Sequence, residues 1–334
     1  MSGSNTGGAE KFFERMSVSL NNQENLNLKV IIKKNPKRFN FLKKEKIDVD
    51  QLNFFNKFDI FSKYKLAKIC IKFNPNIIIT WMNRASLMLF EKKYSNEIRI
   101  GRLGGFYKLK NYIHCDYLIA NTEEIKNYII LKGWDKKKVF YLPNFVEENN
   151  YSKIKKKNEN KKVILAVGRF HENKDFETII KSLFFLKNYE LWLVGEGHLK
   201  KNYFYIAKKY NVKNRLKIFN WTDEMSRYYN LADIFVCSSI IEPLGNVILE
   251  AWSHRIPVIT SNVMGPAKLV SHKVNGLKFQ KKNVKNLVEC VETLEMNNVL
   301  KKKIIKNGFN NFKKNYSEKV VIKKYLDFFH KVMK

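Results

Sequence analysis

An α/β fold built from two doubly wound domains, each a parallel sheet with helices on both faces, is predicted from three observations. Short β-branched runs alternate with longer helix-period stretches along all 334 residues. The strand candidates of the second half are apolar almost without interruption, as in parallel strands covered on both sides. One polar, charge-rich segment at 147–162 breaks the pattern near the middle. The length agrees, since roughly 150 residues per domain gives about two domains.

In the first half, 28–32, 77–80 and 117–120 read as strands, with helices at 60–73 and 123–132 between them. In the second half, 163–167, 191–194, 216–219, 234–237 and 258–260 read as strands. Helices are predicted there at 176–186, 199–210, 223–231 and 245–254. The segment EENNYSKIKKKNENKK at 147–162 has few large apolar residues and no period, and reads as an interdomain linker. The expected division is a first domain at 1–146, the linker, a second domain at 163–315 and a terminal helix at 316–334. Both sheets would aim the carboxyl ends of their strands at a cleft, where ligands bind in such folds.

The chain is 45% hydrophobic and 28% charged, which argues against wholesale disorder. No apolar run reaches the ~20 residues of a membrane-spanning helix, and no signal peptide is legible. A cytoplasmic location is expected, at the cytoplasmic face of the membrane if peripheral. The net charge of +32 is spread, with +12 in residues 1–150 and +20 in the rest. A nucleic-acid-binding protein predicts a clustered basic stripe and a recognisable RNA or DNA module, and neither is present. A lysine-rich compositional bias accounts for the charge as well as any partner does. Cys70, Cys115, Cys237 and Cys290 are too scattered for a metal or redox pair, and the six histidines form no ligand spacing. No metal and no cofactor is expected.

The chemistry is concentrated in IIEPLGNVILEAWSHRIP at 240–257. The strand before it ends in a polar turn, and Glu242-Pro243 would open a helix, proline being suited to a first turn. The N–H groups of Leu244, Gly245 and Asn246 would then face outward at the positive end of that helix. There Gly245 lets a phosphate approach the backbone closely. Glu250 lies about two turns on, and Glu242 stands at the mouth. Such a pair suits a ligand with a diphosphate in its middle and hydroxyl-rich groups at both ends. On spacing alone, a glutamate complementing the helix dipole and a solvated Glu250 are the readier explanation of the pair. Upstream, the strand Val163-Ile-Leu-Ala-Val-Gly-Arg169 is followed by Lys174. Two cations at that strand end could neutralise a diphosphate leaving group.

These stretches resemble the glycosyltransferase family 4 group of the GT-B fold, which are retaining nucleotide-sugar transferases. The resemblance runs through Val167-Gly-Arg-Phe-His-Glu-Asn-Lys174, Leu193-Val-Gly-Glu-Gly197 and Tyr228-Tyr-Asn-Leu-Ala-Asp233. It continues through Ser239-Ile-Ile-Glu-Pro-Leu-Gly-Asn-Val-Ile-Leu-Glu250-Ala, Pro257-Val-Ile-Thr260 and Asn275-Gly-Leu277. The most specific element is the Glu242/Glu250 pair in its E-P-L-G-N-V-I-L-E-A setting. More loosely, Gly7-Gly8-Ala9-Glu10 resembles the family's glycine-rich loop, and Tyr141-Leu-Pro-Asn-Phe-Val146 its run into the hinge. The terminal stretch resembles the helix that crosses back to the first domain.

The resemblance implies a hexosyltransferase-type enzyme that moves a sugar with retention and needs no metal. It implies that Gly168, Arg169 and Lys174 bind the donor diphosphate, together with the backbone of Leu244, Gly245 and Asn246. Glu250 would take the ribose hydroxyls. Glu242 would hold the transferred sugar and steady charge at its anomeric carbon, so Glu242, Arg169 and Lys174 form the catalytic set. Gly7 and Gly8 would close over the phosphates from the other domain. The expected partners are a nucleotide-diphosphate sugar, with UDP favoured, and a glycan or lipid-linked acceptor of lipopolysaccharide or another envelope polysaccharide.

Two departures from the family pattern stand out. A relative has most of a strand before the glycine loop, whereas this chain reaches Gly7 almost at once, so the first strand is expected to be truncated or missing. The acceptor-side loop reads Ile100-Gly-Arg-Leu-Gly-Gly-Phe-Tyr107 where many relatives carry a histidine. Arg102 is the acceptor-side candidate, and His114 reads equally as a residue in that loop's role or as a packed helix residue. The basic, partly aromatic segment 33–44 could lie on an anionic membrane, but reads more readily as a solvated loop and helix. A non-catalytic transferase-like partner subunit and a basic nucleic-acid- or membrane-surface-binding protein are the alternative readings. A nicotinamide site is disfavoured because Gly195-Glu-Gly197 does not extend to G-x-G-x-x-G.

Overall fold

The computed structural model describes residues 1–3, 7–54, 59–89, 96–148, 161–222 and 224–334. They form two compact units. Unit 1 is Met1–Phe145 with Glu318–Lys334, and unit 2 is Val146–Ser317. Most of the predicted linker, 149–160, lies outside the described residues.

Unit 1 begins with α1 (Gly8–Asn21), β1 (Lys29–Lys33), α2 (Pro36–Lys44), β2 (Asp48–Leu52) and α3 (Ile60–Phe73). It continues with β3 (Ile77–Trp81), α4 (Met82–Ser86), β4 (Ile98–Leu103), β5 (Tyr117–Ala120), α5 (Glu123–Leu131) and β6 (Val139–Tyr141). Two parallel sheets result, β1-β2 and β3-β4-β5-β6. Three strands escaped the sequence reading. β2 alternates Asp48 and Asp50 with apolar residues, and both carboxylates pair with Lys29 across the ladder. β4 carries two arginines, Arg99 and Arg102, which are both buried, and β6 is three residues long.

Residues at the amino end run beside β1. The Met1 amino group donates to the Ile31 carbonyl at 2.7 Å, and the Lys33 N–H donates to the Met1 carbonyl at 2.9 Å. This is the pairing of a parallel strand stub. Burial, with the Arg38 charge adding to it, pulls that amino group down to about 5. An apolar groove of about 410 Å³ continues from Met1 between β1 and β3, lined by Val30, Ile31, Leu66, Ile78 and Phe329 among others. Gly7 then caps α1, its carbonyl accepting from the Lys11 N–H at 3.0 Å.

Unit 2 comprises β7 (Lys162–Val167), α6 (Phe176–Ser182), β8 (Tyr189–Val194), α7 (Lys200–Lys209), β9 (Leu216–Phe219) and α8 (Met225–Leu231). It goes on through β10 (Ile234–Cys237), α9 (Asn246–Ser253), β11 (Val258–Ser261), α10 (Met264–Leu269) and β12 (Leu277–Phe279). It closes with α11 (Val284–Met296) and α12 (Asn298–Asn315). All pairings are parallel, in the order β12-β11-β10-β7-β8-β9. β10 and β11 are buried at every position, which is why they read as continuous apolar runs. The chain leaves β7 toward β8 on one side and reaches β10 on the other, so β7 and β10 flank the switch point of the sheet.

The last helix, α13 (Glu318–Met333), belongs to unit 1. It buries Val321, Tyr325, Phe328 and Phe329 in one core with Phe12, Phe13, Met16 and Trp81. The Ser19 hydroxyl of α1 donates to Glu318 at its start.

Candidate functional site

The site of unit 2 is assembled where β7 and β10 end. Gly168 follows β7 and its N–H donates to the Val194 carbonyl at 3.0 Å. The Lys174 side chain lies against it, 3.1 Å from where a Cβ would stand. Gly195 ends β8 with φ +156°, and a Cβ there would come within 1.9 Å of the Gly168 carbonyl oxygen. Glycine is therefore dictated by close backbone approach. The loop 168–175 is also tied to the loop after β10. The Ile240 N–H donates to the Asn173 carbonyl at 2.8 Å, and the Ser238 hydroxyl to the Lys174 carbonyl at 2.7 Å.

This stitching brings Lys174 and Glu242 together. The Lys174 ammonium donates to Glu242 Oε2, which also accepts from the Ser239 hydroxyl at 3.3 Å. The two side chains are only 21% and 15% exposed. Burial disfavours the Lys174 ammonium, but the Glu242 carboxylate more than offsets it and holds its pKa above the ordinary lysine value. Burial, with Glu242 adding to it, pushes the neighbouring Cys237 thiol up, which disfavours its thiolate. Arg169 is exposed at the end of the same strand.

The segment after β10 differs from the expected helix in one respect. Glu242 lies in an irregular segment, Pro243 and Leu244 form a bend, and α9 begins at Asn246. Gly245 has φ +90°, a left-handed conformation that a right-handed helix cannot pass through, so the helix starts after it. The Leu244 side chain is 7% exposed and packs in the core, leaving only its backbone to a ligand. Gly265 packs a hydrogen atom against the Glu242 and Pro243 carbonyls and donates its N–H to the former at 3.1 Å, which holds the bend.

Glu250 sits in the second turn of α9. Its Oε2 accepts from the Tyr229 hydroxyl at 2.9 Å. The Tyr229 ring stacks on His254 at 4.8 Å, and His254 Nδ1 lies 2.7 Å from the Glu250 carbonyl. Tyr229, Ser239 and His254 were missed as site residues by the sequence reading. Tyr229 lay within the quoted Tyr228–Asp233 motif, but its aim at Glu250 depends on how α8 packs against β7, which spacing does not encode.

Gly7, Gly8 and Arg102 lie in unit 1. Arg102 is 1% exposed. Its guanidinium is held between the Phe12 and Trp81 rings at 4.7 and 4.5 Å and donates to the Tyr325 hydroxyl and to Asn144 Oδ1. Arg102 therefore joins α1, β3 and α13 within the unit 1 core. His114 sits in a turn after a short 3₁₀ segment, partly exposed, and not in a helix.

Residues 147–311 match the family model described as "Glycosyl transferases group 1". Those residues are thus similar to group 1 glycosyltransferases. The chain is 27% identical over 267 residues to the lipopolysaccharide core biosynthesis glycosyltransferase LpsE of Rhizobium meliloti, covering 78% of each chain. In fold it matches a glycosyltransferase from Rickettsia africae with a TM-score of 0.86 at 19% identity, covering 100% of this chain and 97% of that one. Anabaena HepE in complex with UDP and glucose matches with a TM-score of 0.82 at 15% identity, covering 98% and 97%. The fold is thus the α/β GT-B class expected from the sequence, and the chain is similar to glycosyltransferases of lipopolysaccharide and polysaccharide synthesis. The Lys174–Glu242 pair, Gly245 and Glu250 all lie inside the matched residues.

Proposed function

We propose that the chain is a retaining, metal-independent glycosyltransferase of the family 4 type that moves a hexose from a nucleotide-diphosphate sugar, UDP foremost, to an envelope glycan or lipid-linked acceptor. The observation that carries this reading is the Lys174–Glu242 ion pair at the switch point of unit 2, beside Gly168 and the start of α9. Lys174 and Arg169 neutralise the diphosphate as it leaves. The backbone at 244–246, at the positive end of α9, takes its oxygens. Glu250, held by Tyr229, accepts from the ribose hydroxyls. Glu242, held by Lys174 and Ser239, accepts from the sugar hydroxyls and faces the positive charge that grows at the anomeric carbon. The leaving phosphate takes the acceptor proton on the same face, so the configuration is retained.

Gly7 and Gly8 are assigned to the same donor by the family resemblance alone. The similarity to LpsE supports a lipopolysaccharide-type acceptor. Among the described residues no helix is long and apolar enough to cross a membrane, and peripheral contact with the cytoplasmic face belongs to this reading.

The test is to follow release of nucleoside diphosphate from a panel of nucleotide sugars, with and without truncated lipopolysaccharide core, and to read the product anomer by NMR. Acceptor-dependent release with a retained anomer, lowered about 100-fold or more in Lys174→Ala, supports the reading. An inverted anomer, or release unaffected by Lys174→Ala, contradicts it.

A further inference from the structure

Helix α3 presents two apolar faces. The inner one is explained by packing, since Ser62 and Leu66 are buried, the latter against Leu52, Phe54 and Met88. The helix is firmly terminated at both ends. The Asp59 carboxylate accepts from the Ser62 N–H at 2.9 Å, and Asn74 closes the far end in the left-handed conformation. The outer face has no such explanation. Ile60, Phe61, Tyr64 and Ile71 are 74%, 83%, 58% and 79% exposed. Ile60, Tyr64 and Ile71 fall on one line of the helix, with Phe61 beside them.

The charged side chains of the helix itself are all lysines. Lys65, Lys68 and Lys72 are exposed on one flank, Lys63 lies on the other, and the helix contains no acidic residue. The Lys68 ammonium stands 4.6 Å from the centroid of the Tyr64 ring, as in a cation resting on an amphipathic aromatic. On the Lys63 side the surface continues into a hollow shared with Lys110 and Ile113, and Ile113 is 69% exposed. Apolar side chains on a stripe with cationic flanks match the acyl–headgroup boundary of an anionic bilayer. A protein partner would be met by mixed charge around the same stripe.

The segment 33–44, which composition alone nominated for this role, is otherwise engaged. Arg38 of α2 is 3% exposed and paired with Glu14 at 2.9 Å, and Leu42 is fully buried. That anchors α2 into the core of unit 1.

We propose that the outer face of α3, Ile60, Phe61, Tyr64 and Ile71 with its flanking lysines, lies on an anionic lipid surface. The surface assignment stands on the helix itself. Only its use, presenting unit 1 to a lipid-borne acceptor, rests on the transfer reading.

The experiment is sedimentation of the full chain with vesicles of phosphatidylcholine alone and with 30% phosphatidylglycerol. Binding is expected to the second and to fall steeply with salt. Phe61→Ser/Ile71→Ser and Lys65→Gln/Lys68→Gln should each weaken it about tenfold or more, with unchanged melting temperature and unchanged response to nucleotide. Lys302→Gln/Lys303→Gln, which removes the same charge from α12, should leave it intact. Equal binding by wild type and the α3 variants overturns the proposal, as does an equal loss in the α12 control or an absence of binding to either vesicle. So does self-association that Phe61→Ser/Ile71→Ser abolishes. A chain that binds vesicles through α3 but no nucleotide leaves this proposal standing and removes the transfer reading.

Discussion

At the residue scale, the account turns on ion pairs and rings held at the strand ends of unit 2. Lys174→Ala strands a mostly buried Glu242 carboxylate beside the Ser239 hydroxyl that still donates to it. It should cost about 1–3 kcal/mol of stability, whereas Glu242→Gln keeps an acceptor for Ser239 and should cost less. Urea unfolding of both variants and of the double mutant measures the difference. Arg102 makes a contrasting case in unit 1, where its cation lies between two rings and donates to Tyr325 and Asn144. Arg102→Lys cannot reproduce the planar stack and fork, and should lower unit 1 stability by about 2–4 kcal/mol without changing nucleotide affinity. His254 supplies a pH dependence. Burial holds its imidazole below the ordinary value near 6.5, against the opposing influence of Glu250. The unfolded chain therefore binds the proton first as the pH falls, so stability should drop as pH passes below about 6.5. Melting temperatures from pH 7.5 to 5.5 should show a shallower slope in His254→Phe, which keeps the stack on Tyr229.

At the element scale, the loops after β7 and β8 interlock through glycines with no room for a side chain, and Ile240 and Ser238 tie the loop after β10 to the first of these. Gly195→Ala would drive a methyl into the Gly168 carbonyl. It should displace the Arg169–Lys174 loop and weaken nucleotide binding at least tenfold, with a loss of about 1–3 kcal/mol in stability. Calorimetric titration beside a melting curve reads both. This level was also the most legible in the sequence. The helix at 60–73 and the strands at 117–120, 216–219 and 234–237 are observed at their expected bounds, and in 117–120 and 234–237 apolarity and burial coincide. Legibility failed where burial and apolarity part. Arg99 and Arg102 hide β4 inside a charged string, and Gly245 moved the start of α9 beyond Pro243. The set Gly168, Arg169, Lys174, Glu242 and Glu250 was nominated from strand ends and motif, and the structure brings Lys174 and Glu242 of it into contact. Tyr229, Ser239 and His254 were not, because they act through side-chain direction.

For the whole molecule, the chain divides at Phe145/Val146 and again at Ser317/Glu318, so α13 completes the core of unit 1. Tyr325→Ala should lower the unfolding transition of unit 1 by about 3–5 kcal/mol. It should leave the transition of unit 2 in place in differential scanning calorimetry. The central claim, a nucleotide-sugar donor site in unit 2, is tested most directly by thermal unfolding of the whole chain against a panel of nucleotides and nucleotide sugars. The measurement is repeated with Arg169→Ala and Glu250→Ala. At ligand near 100 times its Kd, UDP or its sugars should raise the melting temperature by about 5 °C or more, and both substitutions should abolish the rise. No shift with any nucleotide, or a shift that survives both substitutions, contradicts the account.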